Sequence, residues 1–516
     1  MQGSHLVSTA RTLPVWDFNA DDSARWFETA ADGRAEDVVV VGAGVAGLTT
    51  ALCLLREGRR VLIIEREGVG AGETLRTTAH LASALDDRYT VLARQHGEDG
   101  ARLAAASHAA AIDWIEELAH AAEDACGFQR VPGYLFTCRD DVDGLRKEAE
   151  AARAAGLDAR FVEAGDDLPE HFGPVVRFEA QARVDMGRYL AALADAVNDA
   201  GARWLRAEAI NVEGGERPRV VLRNGELSAA AVVVASNVPF NETGATYMKQ
   251  APYRSYVVVG EGAREQWTDA LIWDDGDPYH YVRLLDVEDD PARVRIIVGG
   301  EDHKTGQDDD PEAYVRLQEW TRARFPGVER FTHAWSGQII EPVDSLGFIG
   351  RDPDNDNVWL VTGDSGNGIT HGTLAGLLIT DQIQERANPW SGLYDPGRKP
   401  LRAGGEWLRE NANAALQFRD WLKPGDVKDA GSLAPGNGAV LRRGLHRVAV
   451  YRSGDGELHA FNARCPHLGC VVRWSSEEKS WDCPCHGSRF EAATGAILNG
   501  PTSQPLAPFE GDADLG

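Results

Sequence analysis

The stretch Val38-Val-Val-Val-Gly42-Ala-Gly44-Val-Ala-Gly47 decides the fold of the larger part of this chain. Its valines predict a buried strand, its glycines a tight turn, and Leu48 to Glu57 have the apolar period of a helix. The next apolar run ends in Glu65. Together these features form a dinucleotide-binding fingerprint, because the glycines let the backbone approach a pyrophosphate and the acid accepts hydrogen bonds from a ribose.

A second glycine-rich segment, Thr362-Gly-Asp-Ser-Gly-Asn-Gly-Ile-Thr370, follows a short strand and opens a late helix. With the run Ala231 to Asn237 and the stretch Trp335 to Gly350, it resembles the D-amino-acid oxidase and glycine oxidase family over about residues 37 to 388. The resemblance implies that FAD is the cofactor and that the positive end of the late helix points at the flavin pyrimidine ring. No second GxGxxG follows a strand, so we expect no separate NAD(P)H site. The expected cofactor-binding residues are Gly42, Gly44, Ala46, Gly47, Glu65, Arg66, Thr78, His80, Gly363, Asp364, Gly366, Gly368, Ile369 and Thr370.

The candidate substrate residues depart from the family pattern. Amino-acid oxidases of this family carry an arginine two residues beyond a Trp-x-Gly, and this arginine grips the substrate carboxylate. Here that position is Ile339, which favours an amine over an α-amino acid as the substrate. Arg283 is the candidate replacement, and the other candidate catalytic residues are Tyr281, His280 and His371. His80 lies in a loop that sometimes bonds covalently to the flavin in related dehydrogenases, but we expect a noncovalent role.

Four of the seven cysteines crowd into Cys465-Pro-His-Leu-Gly-Cys470 and Cys483-Pro-Cys-His-Gly-Ser488. A [2Fe–2S] cluster with two thiolates on one iron and two imidazoles on the other needs two loops that each offer one Cys and one His. A zinc site also uses such pairs, but it gives no reason for the extra cysteine in each loop. The pattern resembles the Rieske family over about residues 426 to 516. The expected ligands are Cys465, His467, Cys483 and His486.

Resemblance to the high-potential branch of the Rieske family implies three further features. Cys470 and Cys485 would form a disulfide that clamps the two loops, and Gly500-Pro501 would belong to a third, proline-bearing loop. Ser488 would donate a hydrogen bond to a cluster sulfide and raise the reduction potential. Phe490 stands where that branch has a tyrosine donor. We therefore expect a potential below the top of the Rieske range, which spans roughly −150 to +300 mV.

The composition of the chain limits the classes of partner that the protein is expected to bind. The formal net charge of −27 repels phosphate backbones and anionic membrane surfaces, so nucleic-acid binding is not expected. No run of 18 apolar residues predicts a membrane span, and the first residues lack a signal-peptide core. The cysteines outside the cluster loops are scattered rather than arranged as a secreted disulfide framework. These features predict a cytoplasmic protein without membrane insertion.

The predicted fold class is α/β (α+β): a Rossmann-type FAD-binding domain with a mixed-sheet substrate domain, plus a small all-β Rieske domain. The domains expected are an N-terminal arm (1–36), the oxidoreductase domain (37–388), a linker with a helix (389–425) and the Rieske domain (426–516). Within the oxidoreductase domain, the FAD-binding parts are about 37–95, 185–240 and 335–388, and the substrate-binding parts are about 96–184 and 241–334.

Flavin accepts two electrons together as a hydride, whereas a Rieske cluster carries one. Their fusion predicts that a small-molecule amine or amino-acid-like substrate reduces FAD, and that the cluster passes electrons singly to an external acceptor. Three alternatives stay open. Electrons could flow in the opposite direction, from an external donor through the cluster to FAD. The protein could instead be an oxygen-dependent oxidase with a structural or sensing cluster, or a non-redox scaffold.

Overall fold

The computed structural model describes residues 13–19, 23–28, 36–122, 124–240 and 246–510. The other parts of the predicted arm, of the substrate-binding region and of the predicted Rieske domain lie outside these ranges. Where the arm is described, it packs on its own chain. Trp26 and Phe27 contact Trp204 with ring centroids 5.2 and 5.5 Å apart, and Trp16 Nε1 donates a hydrogen bond to the carbonyl of Thr77 at 3.0 Å.

The first sheet has nine strands and is built on a parallel core. The valine run Glu36–Val41 pairs in parallel with Val61–Glu65 on one side and with Gly225–Val234 on the other. Val358–Thr362 pairs in parallel with Gly225–Val234. Phe348–Arg351 in turn pairs antiparallel with Val358–Thr362. The remaining strands of this sheet are Phe27–Glu28, Arg203–Arg206, Ala209–Glu213 and Arg219–Leu222.

Several helices bury an apolar face against the sheets. Two of them, Val45–Arg56 and Gly368–Ile383, pack against each other beside the first sheet. A Cβ atom at Gly372 would lie 2.8 Å from Val45 Cγ1, and one at Gly376 would lie 2.6 Å from Thr49 Cγ2, so close packing needs glycine at both positions. The other helices are Tyr89–Ala121 with a break at Gly97, Val142–Ala154, Met186–Asp199, Ala313–Arg324, Ser391–Tyr394 and Gly404–Leu416.

The second nine-stranded sheet is mixed and forms one wall of the substrate region. Its long antiparallel part alternates between a face toward the first sheet and a face toward Ala313–Arg324. In spatial order its strands are Arg330–Pro342, Gln250–Ala263, Arg293–Lys304, Tyr281–Asp286, Leu271–Trp273, Gln129–Phe136, Val175–Arg183 and His80–Leu81, with Ala159–Val162 on Val175–Arg183.

The C-terminal part is a small β domain of two antiparallel sheets. One holds Asn437–Arg443, His446–Arg452 and Leu458–Asn462, and the other holds Arg473–Ser475, Ser480–Asp482, Arg489–Glu491 and Ile497–Asn499. The connection from the larger part contains the helix Gly404–Leu416, as the sequence predicts for the linker. Among the residues that the structure describes, no helix has the length and apolar character needed to cross a membrane.

Candidate functional site

A cavity opens at the carboxyl ends of the parallel strands. Gly42, Arg66, Ala235 and Gly363 each follow a strand of the first sheet, and all four line it. Gly42 has a φ of 110°, and a Cβ there would lie 2.5 Å from the carbonyl oxygen of Ala235. The fingerprint turn therefore requires glycine, and it leaves the backbone bare where a cofactor approaches.

The helix that follows the fingerprint presents its N-terminus to this cavity. Gly44 is its N-cap residue and has no side chain to cap the helix, and the hydroxyl of Thr74 accepts the N–H of Val45 at 3.1 Å. Beside it, both carboxylate oxygens of Glu65 accept backbone hydrogen bonds, from Ala43 N and Glu67 N at 2.9 Å each. The positive end of a helix favours a pyrophosphate, and the fixed acid is placed to meet ribose hydroxyls.

The second glycine segment forms the opposite wall of the cavity. The N-cap of Gly368–Ile383 is Asn367, whose side chain makes no capping hydrogen bond, so this N-terminus is also available to a ligand. Asp364 Oδ1 accepts the backbone N–H of Ile340 at 3.0 Å. Burial raises the pKa of Asp364 to about 6.

Three buried polar atoms in the cavity wall show that the space suits a polar ligand. Asn237 Nδ2, Gln338 Oε1 and His371 Nε2 have no hydrogen-bond partner within the described chain. Buried polar atoms are normally satisfied, so atoms of this kind around one cavity indicate a bound group that supplies the missing partners. With the bare glycine turn and the two helix N-termini at the cavity, the residues present fit a dinucleotide.

The cavity wall contains twelve of the fourteen predicted cofactor-binding residues. Gly47 and Thr370 lie behind it. Gly47 packs against the carbonyl of Gly42, and the hydroxyl of Thr370 lies 2.8 Å from His108 Nδ1. The twelve that line the cavity are Gly42, Gly44, Ala46, Glu65, Arg66, Thr78, His80, Gly363, Asp364, Gly366, Gly368 and Ile369.

The four candidate catalytic residues separate into two groups. Tyr281 and His371 line the cavity, and burial lowers the pKa of His371 to about 4, so this imidazole is neutral. His280 points to the other face of the sheet, where it stacks on Trp320 with ring centroids 4.3 Å apart. Arg283 is fully buried outside the cavity wall, and its guanidinium donates to the carbonyls of Ala79, Val184 and Leu284. We therefore assign Arg283 and His280 no contact with substrate.

Several lining residues carry no sequence signal. Asp86 follows the loop of His80, and Trp273, Tyr279 and Ser255 reach the same end of the cavity from the mixed sheet. The C-terminal domain also contributes to the wall, through residues 497–500, 502 and 503. Spacing in the sequence could not reveal these contacts, because they join segments far apart along the chain.

The two cysteine-histidine loops meet at one end of the C-terminal domain. Cys465 and Cys483 are buried free thiols, and Cys470 is joined to Cys485 by the predicted disulfide. The Sγ atoms of Cys470, Cys483 and Cys485 lie within 4.8 Å of one another. Each loop turns tightly, with Gly469 N donating to Cys465 O at 3.0 Å and Gly487 N donating to Cys483 O at 3.1 Å.

The two histidines of these loops lie side by side. The ring centroids of His467 and His486 are 5.0 Å apart, and burial lowers the pKa of each imidazole to about 4. Both rings are therefore neutral at pH 7, which is the form that binds a metal. His486 Nδ1 is buried without a partner among the described residues. Two thiols and two neutral imidazoles around one point fit a Rieske [2Fe–2S] cluster.

The cluster loops rest directly on the larger domain. The ring of Tyr247 contacts both histidines, with centroid distances of 4.9 Å to His467 and 6.2 Å to His486. Gln338, in the cavity wall, donates from Nε2 to the carbonyl of Gly487 at 2.9 Å. The residue next to a cluster ligand is thus bonded to the wall of the cofactor cavity.

A buried ion pair holds the same interface. Glu478 of the C-terminal domain lies against Arg254 of the mixed sheet, with Oε1 3.4 Å from Nη2, and it also accepts from the hydroxyl of Ser336. Both side chains of the pair are almost fully buried. Burial acts to raise the pKa of Glu478, but Arg254 and Arg76 outweigh it and hold the pKa below its ordinary value. The pair therefore joins the two domains at this point.

Comparison with known proteins divides the chain in the same way. Residues 37–382 match the model of the FAD dependent oxidoreductase family, and residues 423–510 match the model of the Rieske [2Fe-2S] domain. The protein named "Putative Rieske 2Fe-2S iron-sulfur protein YhfW" of Bacillus subtilis is 29% identical over 92% of this chain and 94% of its own length. Gamma-glutamylputrescine oxidoreductase of Escherichia coli is 24% identical over 74% of this chain and 91% of its own length.

Two solved structures show the same fold for the larger domain. Glycine oxidase from Geobacillus kaustophilus has a TM-score of 0.59 at 18% identity and covers 71% of this chain and 99% of its own. L-proline dehydrogenase from P. horikoshii has a TM-score of 0.57 at 17% identity and covers 70% of this chain and 97% of its own. The predicted fold class is confirmed by these matches and by the two sheets of the larger domain.

Proposed function

The chain belongs to the FAD dependent oxidoreductase family and carries a Rieske [2Fe-2S] domain, and from that premise we propose that it is an amine dehydrogenase with an internal electron path. FAD and a [2Fe–2S] cluster, the two predicted cofactors, are confirmed by the family matches. The proposal adds the substrate, an amine or amino-acid-like compound oxidised at a carbon bound to nitrogen. It also adds the direction of electron flow, which runs from the substrate to FAD and then through the cluster to an external acceptor.

The reaction balances with a one-electron acceptor. When bound, FAD supplies hydride acceptance and the cluster supplies single-electron transfer. The substrate loses a hydride from carbon and a proton, and its C–N single bond becomes a C=N bond. Two protons go to solvent and two electrons leave in two single steps, so two equivalents of an external one-electron acceptor are reduced for each amine oxidised.

The observation that carries the proposal is the contact between the cluster loops and the cavity wall. Gln338 belongs to the wall and bonds to the carbonyl of Gly487, one residue from the expected ligand His486. The ring of Tyr247, from the larger domain, contacts both histidines. A cluster that served only as a distant appendage would not need its ligand loops against the cofactor cavity.

The residues at the far end of the cavity support an amine substrate. Tyr281 and Tyr279 lie there with ring centroids 5.5 Å apart, and Trp273 lies beside them. These side chains can orient a small molecule and exclude water from the reacting carbon. The similarity to gamma-glutamylputrescine oxidoreductase also favours an amine. The predicted cytoplasmic location stays a prediction.

The test is anaerobic reduction of the purified holoprotein with a panel of amines and amino acids. Visible absorbance follows the flavin, and low-temperature EPR follows the cluster. We expect one compound to bleach the flavin and then to produce a Rieske-type signal. As a control, the variant Cys465→Ser, His467→Ala lacks two expected ligands and should show flavin bleaching without that signal.

The alternatives predict different results. If the flavin bleaches while the cluster stays oxidised, and peroxide forms equally in the ligand variant, the protein is an oxidase and the internal path is refuted. If no amine bleaches the flavin but a reduced cluster does, the current runs in the opposite direction. If neither cofactor responds to any reductant, the scaffold alternative replaces the proposal.

A further inference from the structure

We infer that the substrate is a cationic amine without a carboxylate beside its nitrogen, and that Asp86 binds its ammonium group. This inference rests on the proposed function, because it places the substrate at the aromatic end of the cavity. It goes further by naming the charge of the substrate and the side chain that selects it.

Asp86 lies in the cavity wall between the second glycine segment and the aromatic end. Its Oδ2 accepts a hydrogen bond from the hydroxyl of Tyr279 at 3.3 Å, and it contacts the position that a Cβ at Gly366 would occupy. Within the described ranges, no lysine or arginine lies within 4.0 Å of its carboxylate. A half-buried carboxylate in a ligand cavity without a cation of the protein is suited to a cation of the substrate.

Other acids lie near Asp86, and burial raises the pKa of Glu341, that of Asp87 to about 6 and that of Asp302 to about 7. Ser365 Oγ lies within hydrogen-bond distance of both Asp87 Oδ2, at 2.6 Å, and Glu341 Oε2, at 3.0 Å. Asp302 also interacts electrostatically with Asp86, and its Oδ1 is buried with no hydrogen-bond partner among the described residues. Burial, and then the charge of Asp87, raise the pKa of Asp86 to about 7. A bound cation would offset this repulsion and favour the ionised carboxylate.

The basic residues in the cavity wall are occupied elsewhere or neutral. Arg66 lies 3.3 Å from Glu67, and Arg76 Nε donates to the carbonyl of Ser336 at 2.5 Å. Burial lowers the pKa of His80 to about 3 and that of His371 to about 4, so both rings are uncharged. A carboxylate at the aromatic end would therefore meet acids rather than a cation, and its desolvation would be uncompensated.

The aromatic rings complete a site for an ammonium group. Tyr279, Tyr281 and Trp273 all line the same end of the cavity as Asp86. The faces of aromatic rings attract cations, most strongly where water is excluded. One carboxylate and several ring faces are the chemistry that recognises an alkylammonium ion.

The inference is tested by binding, with probes that cannot be oxidised. Tetramethylammonium and benzyltrimethylammonium are titrated into the oxidised holoprotein, with acetate and benzoate as the matched anions, and the flavin absorbance change gives Kd. We expect the cations to bind and the anions not to. Asp86→Asn should weaken cation binding by roughly thirtyfold or more, the usual result of removing one partner of a buried charge pair.

Two controls keep the test decisive. Asp86→Asn can still accept the Tyr279 hydrogen bond, so unchanged flavin content shows that a lost signal is lost binding rather than misfolding. Asp113→Asn removes the same charge at an exposed position far from the cavity, and we expect less than about a twofold change because solvent screens it. Tighter binding of benzoate than of the cations, or equal cation binding in Asp86→Asn, refutes the inference.

The outcomes separate this inference from the proposed function. If the cations bind through Asp86 but no amine reduces the cluster, the inference stands and the internal path fails. If an amino acid reduces the flavin and then the cluster while the cations do not bind, the path stands and the inference fails.

Discussion

Gln338 and Gly487 are joined by a hydrogen bond of 2.9 Å from the side-chain amide of the first to the backbone carbonyl of the second. Gln338 belongs to the wall of the FAD cavity, and Gly487 follows the expected cluster ligand His486. One bond thus connects the surroundings of the two cofactors. The same amide group is placed on a strand of the mixed sheet, so its position depends on the packing of the whole larger domain.

The Gln338 bond should affect the transfer of electrons between the cofactors. In Gln338→Leu we expect the interval between flavin bleaching and cluster reduction to lengthen several-fold in anaerobic stopped-flow measurements, because the bonded contact is lost. Gln307→Leu is the matched control, since Gln307 also donates to a cluster-loop carbonyl, that of Pro484, but lies outside the cavity wall. Equal intervals in the two variants would show that the Gln338 contact has no part in the transfer.

The buried pair of Glu478 and Arg254 should control the stability of the domain interface. Glu478→Gln leaves Arg254 and Arg76 without a compensating buried charge, so we expect the free energy of unfolding to fall by about 3–5 kcal/mol. Chemical denaturation measures this change. Glu477→Gln, one residue earlier and partly exposed, is expected to change it by less than about 1 kcal/mol. A similar loss of unfolding free energy in both variants would show that the buried ion pair does not control the stability of the interface.

The disulfide between Cys470 and Cys485 should stabilise the cluster loops. The two cysteines are 15 residues apart, and closing a loop of this length contributes about 3 kcal/mol in the chain-entropy account. In the double variant Cys470→Ser, Cys485→Ser we expect cluster absorbance to disappear at a lower temperature than in the parent protein, while the flavin absorbance melts as before. Unchanged loss of the cluster on heating would contradict this role.

The residues around the cluster should set its reduction potential. Ser488 is fully buried in the second cluster loop, and Phe490 is fully buried in the apolar core that also contains the cluster cysteines. We expect the midpoint in an EPR-monitored redox titration to lie below about +300 mV, the top of the Rieske range. Phe490→Tyr should raise it by adding a donor, and Ser488→Ala should lower it by removing one. A parent midpoint at the upper limit would refute the expectation.

Cation binding in the cavity should depend on pH through Asp86. Burial and then Asp87 raise the pKa of Asp86 to about 7, with Tyr279 and Asp302 as its other titratable neighbours. Below that value the carboxyl group is increasingly neutral, so the affinity for benzyltrimethylammonium should fall as the pH falls through about 7 and should level off above it. Titrations of the probe at several pH values measure this. The profile of Asp86→Asn should be flatter, and an identical profile would exclude Asp86 as its source.

The fingerprint, the second flavin segment and the cluster loops could all be recognised in the sequence. Each is a short segment whose function depends on residues a few positions apart, such as Gly42 with Gly44 or Cys465 with His467. Backbone geometry over such distances is determined locally, because glycine permits turns that other residues cannot adopt. The two cofactors and the fold class follow from these segments.

The contacts that distinguish this protein within its fold could not be predicted from short sequence segments. The guanidinium of Arg283 donates hydrogen bonds to the carbonyls of Ala79 and Val184, which are far from it in the sequence. Asp86 likewise accepts a hydrogen bond from Tyr279, a residue distant along the chain. The wall formed by residues 497–503 depends on how two separate domains pack. The sequence alone determined which cofactors bind, since local backbone geometry creates their motifs. Tertiary packing decided which side chains face the substrate and how the cofactors connect, because burial and long-range contacts, rather than spacing, place those groups.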